Sequence, residues 1–204
     1  MTITLHRGDL PNTVNFSGSV AIDTETMGLN PNRDRLCLVQ LSSGDGNAHL
    51  IQIAKGQNKA PNLQRILEDE KLIKIFHYAR FDVAVLKKYL SANVSPSYCT
   101  KIASKLVRTY TDRHGLKDLT RELLGVDISK QQQSSNWGAE KLSSAQLEYA
   151  ASDVYYLHKM MDKLNQMLVT SERTKLAQKC FDFIPTRCIL DLEGWNDVDI
   201  FAHS

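Results

Sequence analysis

The 204 residues carry 25 Lys and Arg against 23 Asp and Glu, a formal net charge of +2 with a pI of about 8.3. So mild a balance, with no basic stripe, speaks against a protein that grips long nucleic acid through its phosphates, and the length allows one substantial core and little more. No apolar run approaches membrane-spanning length, no signal peptide is evident, and Cys37, Cys99, Cys180 and Cys188 make no C-x-x-C pair or metal spacing, so a soluble cytoplasmic protein is expected.

Hydrophobic patterning predicts strands near 18–25, 36–42, 48–53 and 72–76 and a short fifth near 97–99, with helices near 62–69, 79–90, 100–108, 115–124 and 144–169. Three strands in succession, then strand and helix in alternation, indicate an α/β fold with a mixed five-stranded sheet flanked by helices. Only the short polar run Gln131 to Asn136 looks like a linker, so residues 1–204 are read as one domain. Within it, the segment 174–204 carries Phe181, Phe183, Ile184, Trp195, Ile200 and Phe201, which must be covered by the core or by a neighbouring subunit.

Three acidic clusters stand out along these elements. Asp23 and Glu25 end the first strand, and side chains two apart on a strand share a face, so both carboxylates point the same way and repel unless a cation sits between them. Asp82 falls inside the apolar stripe Tyr78, Phe81, Val85, Leu86, Tyr89 of the second helix. A carboxylate held against a core needs a partner, either a metal or hydrogen-bond donors at a helix start, and the sequence alone leaves both open. In the long helix, Tyr149 and Asp153 are i and i+4, stacked on one side, with Asp153 roughly 70° from the centre of the apolar face at 100° per residue. Hard cations such as Mg²⁺ and Mn²⁺ prefer carboxylate and water oxygens, and a pair of them about 3.5–4 Å apart clamps the attacking and leaving oxygens of a phosphodiester displacement. The chain offers a strand pair and two helix acids for such a site. Basic residues are enriched from Lys101 to Arg121, with Lys105, Arg108, Arg113, Lys117 and Arg121 among them, and read equally as solvated helix faces or as phosphate contacts.

Asp23-Thr24-Glu25-Thr26 followed by Gly28-Leu29, then His77-x-x-x-Phe81-Asp82, then Tyr149-x-x-x-Asp153, resemble the three motifs of the DEDD exonuclease superfamily in its tyrosine (DEDDy) branch. The histidine branch would place His five residues before the last Asp, where this chain has Glu148. Ile128-Ser129-Lys130, Trp137 and the stretch Leu142 to Leu157 extend the likeness to ribonuclease D, over about residues 18–168. The length leaves no expected room for the helical HRDC domains that follow the ribonuclease D catalytic domain. Further segments, Arg33 to Cys37, Thr109 to Lys117, Ser129 to Ser135 and Asp199 to Ser204, resemble the compact nanoribonuclease group of the same family across nearly the whole chain.

The resemblance implies a ribonuclease H-like arrangement of the sheet and a 3′-5′ exoribonuclease that hydrolyses very short RNA, chiefly 5′-phosphorylated diribonucleotides. It implies two divalent ions, Mg²⁺ or Mn²⁺: Asp23, Glu25 and Asp153 on one, Asp23 bridging to a second that Asp82 holds directly or through water, and Tyr149 orienting or deprotonating the nucleophilic water. It also implies an octameric ring of subunits. The substrate-binding residues are expected among Thr24, Met27, Gly28, Leu29, His77, Phe81, Arg113, His114, Lys130, Gln133 and Ser134. Leu29 would act as an apolar wedge between two bases; Arg113, His114 and the 131–135 loop would cap the 5′ phosphate. For His77, a packed histidine is the competing reading. A broader ribonuclease D-like enzyme acting on RNA or DNA is the alternative function, and an inactive nucleic-acid-binding protein a more distant one.

Overall fold

A computed structural model describes residues 2–129 and 131–203. Six strands, β1 (Thr2–Arg7), β2 (Ser19–Thr26), β3 (Leu36–Ser42), β4 (Asn47–Gln52), β5 (Ile73–Phe76) and β6 (Ser97–Cys99), form one mixed sheet in the order β1-β4-β3-β2-β5-β6. The pairs β2–β3 and β3–β4 are antiparallel; β1–β4, β2–β5 and β5–β6 are parallel. All five expected strands are present, and β1 is an addition. Its residues are exposed or half-buried throughout, so the short alternation of Ile3 and Leu5 with polar neighbours buries no face of its own. It is held by pairing with β4 from Thr2–Asn47 to Arg7–Gln52 rather than by a buried face.

At the centre, Val20, Ala21 and Ile22 of β2 and every residue of β3 are buried, as expected for strands covered on both sides. The covering helices are α1 (Pro61–Leu67), α2 (Ala79–Leu90), α3 (Thr100–Val107), α4 (Leu116–Leu124), α5 (Ser144–Tyr155), α6 (Leu157–Thr170) and α7 (Thr174–Leu192). The single helix expected over 144–169 is divided at Tyr156. The two halves serve different partners: α5 packs on β2, β3 and β4, whereas α6 packs chiefly on α3 and α4. Because apolar residues run on through the break, from Ala150, Ala151 and Val154 to Leu157, Met160 and Leu164, the pattern alone shows one continuous helix.

The segment 174–192 forms α7, which lies along α2 and buries Ala177, Phe181, Ile184 and Cys188. Beyond it Trp195, Val198, Ile200 and Phe201 remain exposed on this chain. Cys37, Cys99 and Cys188 are buried, and all four thiols are free. Among the described residues no helix is long and apolar enough to cross a membrane.

Candidate active site

The carboxylates gather where β2 runs out beneath two helices. Alternation along β2 puts Asp23 and Glu25 on one face and Thr24 on the other. The register slips at this end, Glu25 pairing with Leu38 and Thr26 with Leu36, so Cys37 is the extra residue of a bulge. Bulges of this kind bend a strand and re-aim its side chains. From α5, Asp153 meets Asp23 and Glu25 so closely that one oxygen from each of the three lies within 4.8 Å of the others. From the first turn of α2, Asp82 reaches the same cleft, where the Thr24 hydroxyl donates to its Oδ1 at 2.7 Å. Asp82 and Asp153 are both buried.

Local chemistry explains why α5 starts where it does. Ser143 accepts from the Gln146 backbone N–H while the Gln146 side chain accepts from the Ser143 backbone N–H, a reciprocal capping box. The Gln146 amide also donates to Ser135 Oγ at 3.1 Å and to the Asn136 carbonyl at 3.2 Å. That ties the helix start to the loop carrying Trp137. The buried indole of Trp137 lies 6.0 Å from the Tyr149 ring, fixing the tyrosine from behind.

Electrostatics shows what the site lacks without a cation. Burial, together with the neighbouring carboxylates, raises Asp23 well above the usual carboxylate range and Glu25 to about 9. Burial raises Asp82 and Asp153 to about 7, although hydrogen bonds from Thr24 and Tyr149 pull the other way. Burial beside Asp153, Glu25 and Asp23 also lifts the Tyr149 phenol above its ordinary value. Four closely set oxygen donors that resist ionising together fit a hard divalent cation.

A stability test follows. Unfolded carboxyls ionise near pH 4, whereas these stay protonated to about 7 or 9 when folded, so the metal-free site favours folding at low pH and loses that contribution as pH rises through those values. A bound cation reverses the balance. The melting-temperature gain from Mg²⁺ over EDTA should therefore be larger at pH 8.5 than at pH 6. Equal gains at both pH values would mean that these carboxylates do not hold the ion.

The four acids and Tyr149 line one cleft of about 370 Å³. Of the expected substrate residues, Thr24, Leu29, His77, Phe81 and Gln133 line it too. Leu29 stands 87% exposed, an apolar tip with nothing of its own chain to cover it. Gly28 beside it has no room for a side chain, since a Cβ there would lie 2.3 Å from Asp34 Oδ2, which accepts from the Asn30 N–H and closes the loop. Met27 and Gly28 flank the cleft without lining it. His77 Nδ1 is 2.9 Å from Thr100 Oγ1, so its ring is anchored as well as exposed to the cleft.

Arg113, His114 and Ser134 do not line this cleft. His114 Nδ1 is engaged with Ser104 Oγ at 2.9 Å, and exposed Arg113 contributes its carbonyl to Arg108. Lys130 lies outside the described residues. Arg108, within the basic enrichment, is fully buried and paired with Glu122. The cations that do face the carboxylates are Lys101, which also lies 4.4 Å over the Tyr78 ring, and Lys117 in the first turn of α4. The charge enrichment carried that signal, but not which members of it turn inward. A second cleft, of about 490 Å³ and bordered by Arg7, Arg35, Lys55 and Trp137, contains none of the four acids.

Residues 9–169 match the sequence model of a family described as 3′-5′ exonuclease. DNA polymerase I of Aquifex aeolicus is 35% identical over 147 residues, 72% of this chain and 24% of that protein. Ribonuclease D of Gluconacetobacter diazotrophicus is 34% identical over 149 residues, 73% of this chain and 37% of that protein. The chain thus spans well under half the length of these curated relatives. Solved structures of Brucella melitensis NrnC, one with bound Mg²⁺ and one bound to pGG, are 60% and 61% identical, with TM-scores of 0.96 and 0.97 and the whole of both chains covered.

Proposed function

Because the chain belongs to the 3′-5′ exonuclease family, in its ribonuclease D-like branch, we propose that it is a metal-dependent 3′-5′ exoribonuclease. Its substrates are very short RNAs, chiefly 5′-phosphorylated diribonucleotides, and its products nucleoside 5′-monophosphates. The observation that carries this reading is the convergence of Asp23, Glu25 and Asp153 within 4.8 Å, on a cleft that also holds Asp82 and Tyr149. The NrnC structure bound to pGG supports a short, 5′-phosphorylated RNA as the ligand.

Asp23, Glu25 and Asp153 would hold one divalent cation, Mg²⁺ or Mn²⁺, and Asp23 with Asp82 would hold a second. When bound, such ions lower the pKa of the attacking water and offset charge gathering on the phosphate and the leaving oxygen. The protein's own groups do the aiming. The Thr24 hydroxyl fixes Oδ1 of Asp82 and so holds this carboxylate at the cleft. Tyr149, braced by Trp137, presents its hydroxyl beside Asp153, where it orients the water that attacks the last phosphodiester. Lys101 and Lys117 offer positive charge to the phosphates from the facing wall. Leu29 supplies an apolar edge for base stacking without reading sequence. The exposed Trp195, Ile200 and Phe201 are suited to a contact between subunits of an octameric ring.

Time courses with 5′-labelled RNAs of two to seven nucleotides, with and without Mg²⁺ or Mn²⁺, test the reading. We expect kcat/KM for dinucleotides to exceed that for heptamers at least about tenfold, or roughly 1.4 kcal/mol of differential transition-state binding. Equal or faster cleavage of heptamers at matched salt would hand the function to a broader ribonuclease D-like exonuclease. No cleavage of either with metal present would leave only a binding protein.

A further inference from the structure

Asp191, in the last turn of α7, is a buried carboxylate shared by two arginines. Arg80 donates to it twice, Nε to Oδ2 at 2.6 Å and NH2 to Oδ1 at 2.8 Å, and Arg187 donates Nε and NH2 to Oδ1 at 2.9 and 2.7 Å. Its own carbonyl accepts from the Asn32 amide at 3.4 Å. Each partner belongs to a different lip of the cleft: Arg80 to the α2 turn bearing Phe81, Asn32 to the loop bearing Leu29. Arg80 and Arg187 both reach on to the Asn196 carbonyl, at 2.6 and 3.2 Å, and so fasten the turn that follows α7. That turn and Arg80 wall a further cleft of about 410 Å³, which shares Leu29, Tyr78 and Phe81 with the carboxylate cleft and continues it past the Leu29 tip.

A buried ion cluster is weak evidence for stability as such, because desolvation offsets much of the attraction. What this one does is join three segments that border the same space. We propose that Asp191 is a positioning residue for the outer half of the substrate site, holding Arg80, the Leu29 loop and the Asn196 turn in register so that the nucleotide beyond Leu29 is bound. The inference rests on the exoribonuclease reading. Asp191 acts through Arg80 and Asn32 and touches none of the four acids. Asp82, though two residues from Arg80, keeps its own fastening through Thr24. Losing Asp191 should therefore weaken substrate binding and spare the chemical step.

The test is Asp191→Asn, which keeps the shape and removes the charge, assayed on two substrates with Mg²⁺. One is a 5′-phosphorylated diribonucleotide; the other is a nucleoside 5′-phosphate p-nitrophenyl ester, which has one base and carries only a nitrophenyl ring, with no second base, ribose or 5′ phosphate, on the side beyond Leu29. The variant is expected to raise KM for the dinucleotide at least about tenfold, with kcat within about threefold, and to leave kcat/KM for the ester within about twofold. If Asp191→Asn fails to fold at the assay temperature, Arg187→Gln, which leaves the Arg80 pair in place, should give the same split with a rise of about threefold. A folded variant with unchanged dinucleotide KM, or with equal losses on both substrates, overturns the proposal. Should the wild-type protein itself leave the dinucleotide intact, the exoribonuclease reading falls first and this one with it.

Discussion

Asp23→Asn should lower kcat for a dinucleotide by at least about 10³-fold, equivalent to about 4 kcal/mol of lost transition-state stabilisation, and should raise the melting temperature in EDTA. Both effects have one origin. Asp23 is the acid whose ionisation is opposed by burial and by all three of its neighbours, Asp82, Asp153 and Glu25. The amide is nearly isosteric and cannot ionise, so the metal-free protein is relieved of that repulsion while the cation loses its central ligand. Functional sites commonly carry such strain, and stabilising substitutions there sacrifice activity. Single-turnover hydrolysis and thermal melts of the same preparations would measure the two together. Near-normal turnover in the variant would sink the assignment of Asp23 to the metal site.

Tyr149→Phe separates positioning from metal binding. The substitution keeps the ring against Trp137 and removes only the hydroxyl, so affinity for Mg²⁺ should persist while the chemical step slows by about 10² to 10⁴-fold, the usual range for a group that aligns or shuttles a proton. In the cation-free cleft the phenol is pushed above its ordinary range, chiefly by burial and next by Asp153. A hydroxyl in that setting serves as a hydrogen-bond donor and aligner more readily than as a base. Wild-type single-turnover rates in the Phe variant would remove Tyr149 from the chemistry.

How much of this was legible before the structure depends on how local each signal is. The strand acids, Asp82 within an apolar stripe and the Tyr149–Asp153 spacing are properties of one element each, and a two- or four-residue repeat reports them directly. Asp153, placed by its helical phase at the flank of the apolar face, is buried, at 8% exposure. β1 offers only a short alternation, Ile3 and Leu5 among polar residues, and its edge position leaves those side chains exposed or half-buried, so pairing with β4 is what establishes it as a strand. The cleft-facing cations were harder still. Charge density along 101–121 is visible in the sequence, but Lys101, Lys117, Arg108 and Arg113 differ only in which way their helices and loops turn them, and that is decided by packing between elements far apart in the chain. Arg108 is spent on Glu122, whereas Lys117 opens onto the cleft.

The interruption at Tyr156 gives the long helical stretch a separation of tasks. Had it been one rod, the rotational phase of Asp153 would have been a compromise between the demands of the sheet and those of α3 and α4. With two rods, α5 takes its phase from the Ser143–Gln146 box and from the sheet beneath it, and α6 takes its own chiefly from α3 and α4. A difference in packing beyond Tyr156 is thereby taken up at the break before it reaches Asp153.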